Sequence, residues 1–350
     1  MNENATSNMT GTTGGAGTTG VAGVAKRFTE YAPALESRSI VTIRSEYGLW
    51  IAGEERDAEA GAAFDSVDPA TGQHLTRIAE ASQADVDAAV AAARSAYENV
   101  WRDMAPANRA RYLFRIARLI QERAREFAVL ESIDGGKPIR ESRDVDVPLA
   151  AAHFFYYAGW ADKLPWAFTG GVIPRPLGVA AQIIPWNFPL MMAAWKLAPA
   201  LACGNTVVLK PAETTSLTAL LLTEVLTEAE LPPGVVNIVT GGASTGAALA
   251  GHRGIDKVAF TGSTEVGRSI RRATATTGAR LTLELGGKSA QIVFEDAPLV
   301  PDIEGHLRRR PGRGRLPDQR TAGDGRGGRR LHAASLHPRR QRPGHAGPHP

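Results

Sequence analysis

Residues 179–189 read VAAQIIPWNFP. The run from Val179 to Ile184 is apolar enough for a strand buried on both faces. A proline-bounded loop stops it, and residues 190–203 carry the apolar spacing of a helix. The same unit recurs downstream. Apolar, β-branched runs stand at 206–209, 235–239, 257–260 and 281–285, with helical patterns at 216–231, 244–250 and 264–277 between them. Strands alternating with helices of this length predict an α/β fold, a Rossmann-like parallel sheet covered by helices on both faces. Such sheets bind ligands beyond the carboxyl ends of their strands. The polar motifs fall there: PWNFP after the first run, KPAE (210–213) after the second, TGSTEVG (261–267) after the fourth and ELGG (284–287) at the fifth.

Upstream, residues 47–75 read as short strands and loops. Ser82 and Asp85 resemble a capping box opening an Ala-rich helix towards Trp101. Leu113, Ile116, Ile120, Phe127 and Leu130 predict one helix after Pro106, ended by Gly135, Gly136 and Pro138. A further helix is expected over about 148–160. Residues 1–25 are Gly, Thr, Ser and Ala without periodicity, a disordered leader within a pre-domain segment 1–46. After about residue 299 Leu, Ile, Val and Phe nearly vanish, so 300–350 is read as a disordered Arg/Gly/Pro-rich tail.

Composition is that of a soluble globular protein, 43% hydrophobic and 22% charged. The net charge of +4 is unevenly spread: residues 301–350 hold twelve Arg, no Lys and four acids, a local +8, leaving 1–300 at −4. One cysteine, Cys203, excludes a disulfide framework and fits a reducing cytosol, so the expected location is cytoplasmic. The uncharged stretch 176–195 is long enough for a membrane span, but Pro185 and Pro189 would break such a helix and Asn187 would sit at its centre, so it is read as a buried strand, a loop and a helix start. No metal-ligand spacing is present: His153 lies on a helix and is read as structural.

Each motif has two readings. Gly262 and Ser263 start a helix, where backbone N–H groups and a hydroxyl suit a phosphate, or merely make a turn and a cap. Lys210 and Glu213 could hold two ribose hydroxyls, or form an ordinary ion pair in a solvated loop. Asn187 could donate to an oxyanion, or cap the helix before Leu190. Trp186 could pack on a planar cofactor, or belong to the core. Glu284, between Leu283 and Leu285, has the apolar neighbours that raise a carboxyl pKa and suit a general base, or pairs with Lys288. Cys203 ends a helix before Gly204 and reads as a packed small residue with nothing local to activate it.

PWNFP, KPAE, FTGSTEVG and LELGGKSA, in that order and at that spacing, resemble the NAD(P)-dependent aldehyde dehydrogenase superfamily over about residues 47–297. The resemblance implies an N-terminal cofactor domain at 47–299, with subunit-bridging strands over 158–176 and the start of a catalytic domain at 281–299. It implies that Asn187 is the oxyanion amide and Glu284 the general base. It places cofactor contacts at Ile184, Pro185, Trp186, Lys210, Glu213, Gly262, Ser263, Val266, Gly267 and Leu285. The cofactor is NAD, favoured by the acid at 213, with NADP the alternative. An aldehyde substrate and a homo-oligomer follow, with neither membrane nor nucleic acid as partner.

One departure stands out. The family places a nucleophilic cysteine roughly three dozen residues after the glutamate, in a Gly-Gln-x-Cys loop; residues 315–325 here read RLPDQRTAGDG. The catalytic domain is therefore expected to be largely missing and the chain inactive. An Arg, Gly, Pro and His mixture is what GC-rich coding DNA gives out of frame, so a truncation or frameshift after about residue 299 is the expected origin of the tail. The alternative is a non-enzymatic dinucleotide-binding protein, or a basic-tailed nucleic-acid binder. Twelve Arg attract phosphates, but no aromatics interleave them.

Overall fold

The computed structural model describes residues 36–168, 174–287, 291–293 and 332–334. The leader 1–25 and nearly all of the 300–350 tail lie outside the described residues, as does Lys288. The chain divides into two compact units, Met1–Glu284 and Leu285–Pro350. In the second, strands β11 (Gln291–Val293) and β12 (His332–Ala334) pair antiparallel, with Ile292 opposite Ala333.

The first unit is built on the expected alternation. Strands β6 (Val179–Ile183), β7 (Thr206–Lys210), β8 (Val236–Ile238), β9 (Lys257–Gly262) and β10 (Arg280–Leu285) are separated by helices α5 (Pro189–Ala202), α6 (Leu217–Glu228), α7 (Ala243–Gly251) and α8 (Thr264–Thr274). The sheet order is β10-β9-β6-β7-β8 followed by β2 (Leu49–Ile51) and β3 (Glu54–Arg56), and β9, β6, β7 and β8 run parallel. The last two members were not expected there. Strands β2 and β3 form a hairpin whose Trp50 pairs antiparallel with Ile238, so the sheet is mixed at that edge. A second sheet, β1 (Glu46–Tyr47), β5 (His74–Ala79) and β4 (Ala63–Val67), stands apart from it.

Period-two alternation sorts the strand residues between two cores. Val179, Ala181 and Ile183 of β6 and Val208 of β7 pack with Leu249 of α7, Ile270 of α8 and helix α1 (Gln83–Ala96). Ala180, Val207, Leu209, Val236 and Ile238 face the other way. There they meet α5, α6 and three upstream helices, α2 (Pro106–Glu122), α3 (Ala124–Gly135) and α4 (Val147–Trp160). The capping box on α1 is formed: the Ser82 hydroxyl accepts from Asp85 N–H and the Asp85 carboxylate from Ser82 N–H.

Two expectations need correction. The single helix after Pro106 is two, broken at Arg123, whose guanidinium bridges Glu126 and Glu224 at 2.7 and 2.6 Å. The apolar stripe continues across the break, so periodicity alone did not reveal it. The bridging strands expected over 158–176 are absent from the described part of that segment. Residues 158–160 finish α4, a 3-10 turn with Pro165 in its first positions covers Leu164–Ala167, and residues 169–173 lie outside the described set.

Candidate functional site

Asn187 follows β6 by four residues, on a bend between buried Ile184 and the first turn of α5. Ile184 N–H closes onto Lys210 O at 3.1 Å, tying this loop to the end of β7. Capping of α5 by Asn187 is not realised. Phe188 occupies the cap position without a side-chain bond, and Leu190 N–H donates instead to Glu131 Oε2 at 3.3 Å. The exposed Asn187 carboxamide makes no hydrogen bond among the described residues, so its donors stay available to a ligand. Trp186 is 63% exposed, which excludes the core reading for its indole.

Beside this loop lies a cavity of about 340 Å³ bounded by Glu131, Gly135, Lys137 and residues 186–189. A larger one, about 780 Å³, is lined by Phe64, Glu80, Asp134, Trp186, Glu213 and Thr215, among others. Buried Thr215 Oγ1 has no hydrogen-bond partner among the described residues.

Lys210 ends β7 and is only 4% exposed, so the solvated-loop reading fails. Its ammonium donates to Pro211 O at 2.9 Å and stands 3.9 Å from Glu213 Oε2. Burial pushes the ammonium pKa down, and the charges of Glu213 and Glu80 hold it up. The pair presents a donor and an acceptor side by side, the set a vicinal diol needs.

At the end of β9, Gly262 is required by close packing: a Cβ there would stand 2.5 Å from the Phe260 ring. Ser263 is the N-cap of α8 and its hydroxyl accepts from Val266 N–H at 3.2 Å. Gly267 is buried, with its N–H on Ser263 O at 3.0 Å. Ser263 and Val266 are exposed at this helix start, where backbone N–H groups and the helix dipole favour an anion.

Glu284 lies on edge strand β10, beside β9. It is exposed rather than enclosed by apolar neighbours, because alternation along an edge strand turns every second side chain to solvent. Its charge is felt by Lys196, a group that the motifs do not reveal. Lys196 sits on the second turn of α5 and its ammonium donates to Thr261 Oγ1 at 2.7 Å. Burial pushes its pKa down to about 8; Glu284 opposes that shift and Lys257 adds to it. Lys196 therefore links the helix that begins at the Asn187 loop to the ends of β9 and β10. Leu285 and Gly287 belong to the second unit, and both are exposed.

Cys203 is the C-cap of α5, at the far end from Asn187. The helix separates them by roughly 20 Å at 1.5 Å per residue. Burial raises the thiol pKa, with the Arg109 charge opposing, so it is a poor thiolate as well as a distant one. His153 is half-buried on α4, 5.3 Å from the Trp195 ring, and burial lowers its pKa. Among the described residues no group of three or more His, Cys, Asp or Glu could hold a metal ion, and no helix is long and apolar enough to cross a membrane.

A mixed α/β sheet with parallel centre, helices on both faces and polar loops gathered after β6, β7 and β9 defines a Rossmann-like domain. The chain belongs to the aldehyde dehydrogenase family, whose model matches residues 56–308. It is 48% identical over 272 residues to a putative aldehyde dehydrogenase, DhaS, of Bacillus subtilis, covering 74% of this chain and 54% of that protein. Human retinal dehydrogenase 2 is 48% identical over 271 residues, covering 73% and 52%. The structure of an NAD+ complex of an aldehyde dehydrogenase from Bacillus cereus superposes with a TM-score of 0.68 at 45% identity, covering 73% and 54%. The chain thus spans about half the length of the relatives it matches.

Proposed function

We propose that this chain binds NAD along the loops after β6, β7 and β9 and is the cofactor-holding part of an aldehyde-oxidising enzyme. The reading rests most on Asn187: an unspent carboxamide on a loop tied to the Lys210 strand end, beside an exposed indole. Lys210 and Glu213 would hold a ribose, the start of α8 at Ser263 the pyrophosphate, and Ile184, Pro185 and Trp186 the nicotinamide side. The partnerless Thr215 hydroxyl supports a polar ligand in the cavity it lines with Glu213 and Trp186. Bound NAD would supply the hydride acceptor. Asn187 would donate an N–H to the oxygen of a bound aldehyde carbonyl, and Glu284 would take a proton from water.

NAD is preferred to NADP, because a 2′-phosphate would bring negative charge against Glu213. Cys203, at the far end of α5 from Asn187, is the one thiol among the 350 residues, so no thiol of this sequence stands at the Asn187 loop. A cytoplasmic setting and a family-type homo-oligomer complete the proposal. Titration calorimetry of the full chain tests it. NAD is expected to bind at least about tenfold more tightly than NADP, with no NADH formed on adding an aldehyde. Absence of NAD binding at millimolar cofactor would defeat the reading.

A further inference from the structure

Three ionisable groups meet beneath the Asn187 loop. Glu131 is one turn from the end of α3, and Lys137 follows that helix. Asp146 precedes α4. Both carboxylates are fully buried. The Lys137 ammonium is paired with Asp146 Oδ2, stands 3.9 Å from Glu131 Oε1, and lies 3.8 Å from the centroid of the Phe188 ring. Glu131 Oε2 takes the Leu190 N–H. Phe188 and Leu190 flank Pro189, so the cluster grips the loop at both ends of its passage into α5.

Glu131 Oε1 and Asp146 Oδ1 are the two carboxylate oxygens left without a partner in the cluster. Burial, followed by the charge and hydrogen-bond contact of Asp146, raises the Glu131 pKa to about 8. Burial and the Asp146 carboxylate both disfavour charge on Glu131, and the Lys137 ammonium is the cation that faces the two acids, since a buried site tolerates paired charge far better than a lone one. The ammonium is thereby held in place under an aromatic face, where cation–π attraction is strongest because water is excluded.

We propose that Lys137 is a positioning residue for the Asn187 loop, fixing it through the face of Phe188 while Glu131 and Asp146 hold the ammonium from below. The proposal rests on Asn187 being the amide that meets the reacting carbonyl, and it adds the group that sets where that amide sits. Lys137 itself does not touch the reacting atoms.

Amide hydrogen exchange on the full chain, resolved at Leu190 and Met192, reads the loop directly. Lys137→Met is expected to speed exchange at Leu190 about tenfold or more, without a matching change in α2. Lys137→Arg, which keeps a cation over the ring, is expected to restore protection. An Arg variant as loose as the Met variant would overturn the proposal, as would Leu190 exchange unchanged in Lys137→Met or acceleration spread equally through α2. Phe188→Leu leaves the buried ions intact and is decisive even if Lys137→Met does not fold. The same acceleration supports the proposal, and none refutes it. NAD titration of the same proteins separates the two readings: a wild-type chain that fails to bind NAD loses the proposed function, while the exchange result still stands or falls by itself.

Discussion

Replacing Asp134 by Asn should remove a pH dependence from the stability of this chain. Asp134 is 2% exposed on α3, where its carboxylate accepts from Leu217 N–H and from the Ser66 hydroxyl, both at 2.9 Å. Burial nevertheless dominates and raises its pKa from 3.8 to about 6, against the lowering by those two donors. The folded state therefore keeps a proton that the unfolded chain gives up, so stability falls as pH rises from about 4 to about 6 and stays reduced above. That displacement corresponds to about 3 kcal/mol. Asparagine has the same shape and no charge: its carbonyl can accept from Leu217 N–H while the Ser66 hydroxyl rotates to accept from its amide. Urea unfolding at pH 4 and pH 8 should show the two proteins near parity at the lower pH and Asp134→Asn more stable by about 3 kcal/mol at the higher. Glu131, whose pKa burial also raises, is present in both proteins, so the pH dependence it contributes is common to them. A difference that stays constant between the two pH values would refute the reasoning. Asp134→Ala serves as the contrast, since it strands both donors and should cost about 1–3 kcal/mol.

Gly262→Ala should push the Phe260 ring aside and shift the start of α8, costing about 1–3 kcal/mol in unfolding experiments and weakening NAD in calorimetry. Unchanged affinity would remove that turn from the cofactor site. With its pKa at about 8, Lys196 should be acylated by an N-hydroxysuccinimide ester at pH 8 well ahead of exposed Lys163, and the advantage should shrink at pH 9.5; peptide mapping by mass spectrometry reads both. Cys203, with a raised pKa and a half-buried position, should react with a disulfide reagent at least about tenfold more slowly than free cysteine at pH 7.5. Rapid labelling would reopen it as a candidate nucleophile.

The alternation from β6 to β10 was legible because a strand buried on both faces leaves an unbroken apolar run and a covering helix leaves a spaced one. The loops at the strand ends were legible through their prolines, glycines and isolated polar residues. What the pattern concealed is long-range or charged. The β2–β3 hairpin joins the sheet through a pairing of Trp50 with Ile238, remote in sequence. Lys196 looks like a solvated residue on a helix, and only tertiary packing buries it. Glu131 and Asp134 are instructive, since a signal did exist. With Phe127 and Leu130 they recur at helical spacing on one face of α3, and acids on an apolar face are either mistakes or partners to something buried.

That partner is the backbone of two other helices. Neither α5 nor α6 has a side-chain cap of its own. Glu131 accepts from Leu190 in the first turn of α5, and Asp134, three residues on, accepts from Leu217 at the start of α6. Those helices begin directly after the loops that carry Asn187 and the Lys210–Glu213 pair. Helix starts need acceptors for their first N–H groups, and residues such as Asn and Ser usually supply them locally. Here Asn187 stands one position before the α5 cap and is not used, while the Ser216 hydroxyl donates backwards to Ala212 O at 3.0 Å. Supplying the α5 acceptor from α3 leaves the Asn187 carboxamide unspent. The cost is two buried acids with raised pKa values, the pattern expected where a fold gives up stability to keep the loops at its strand ends polar and open.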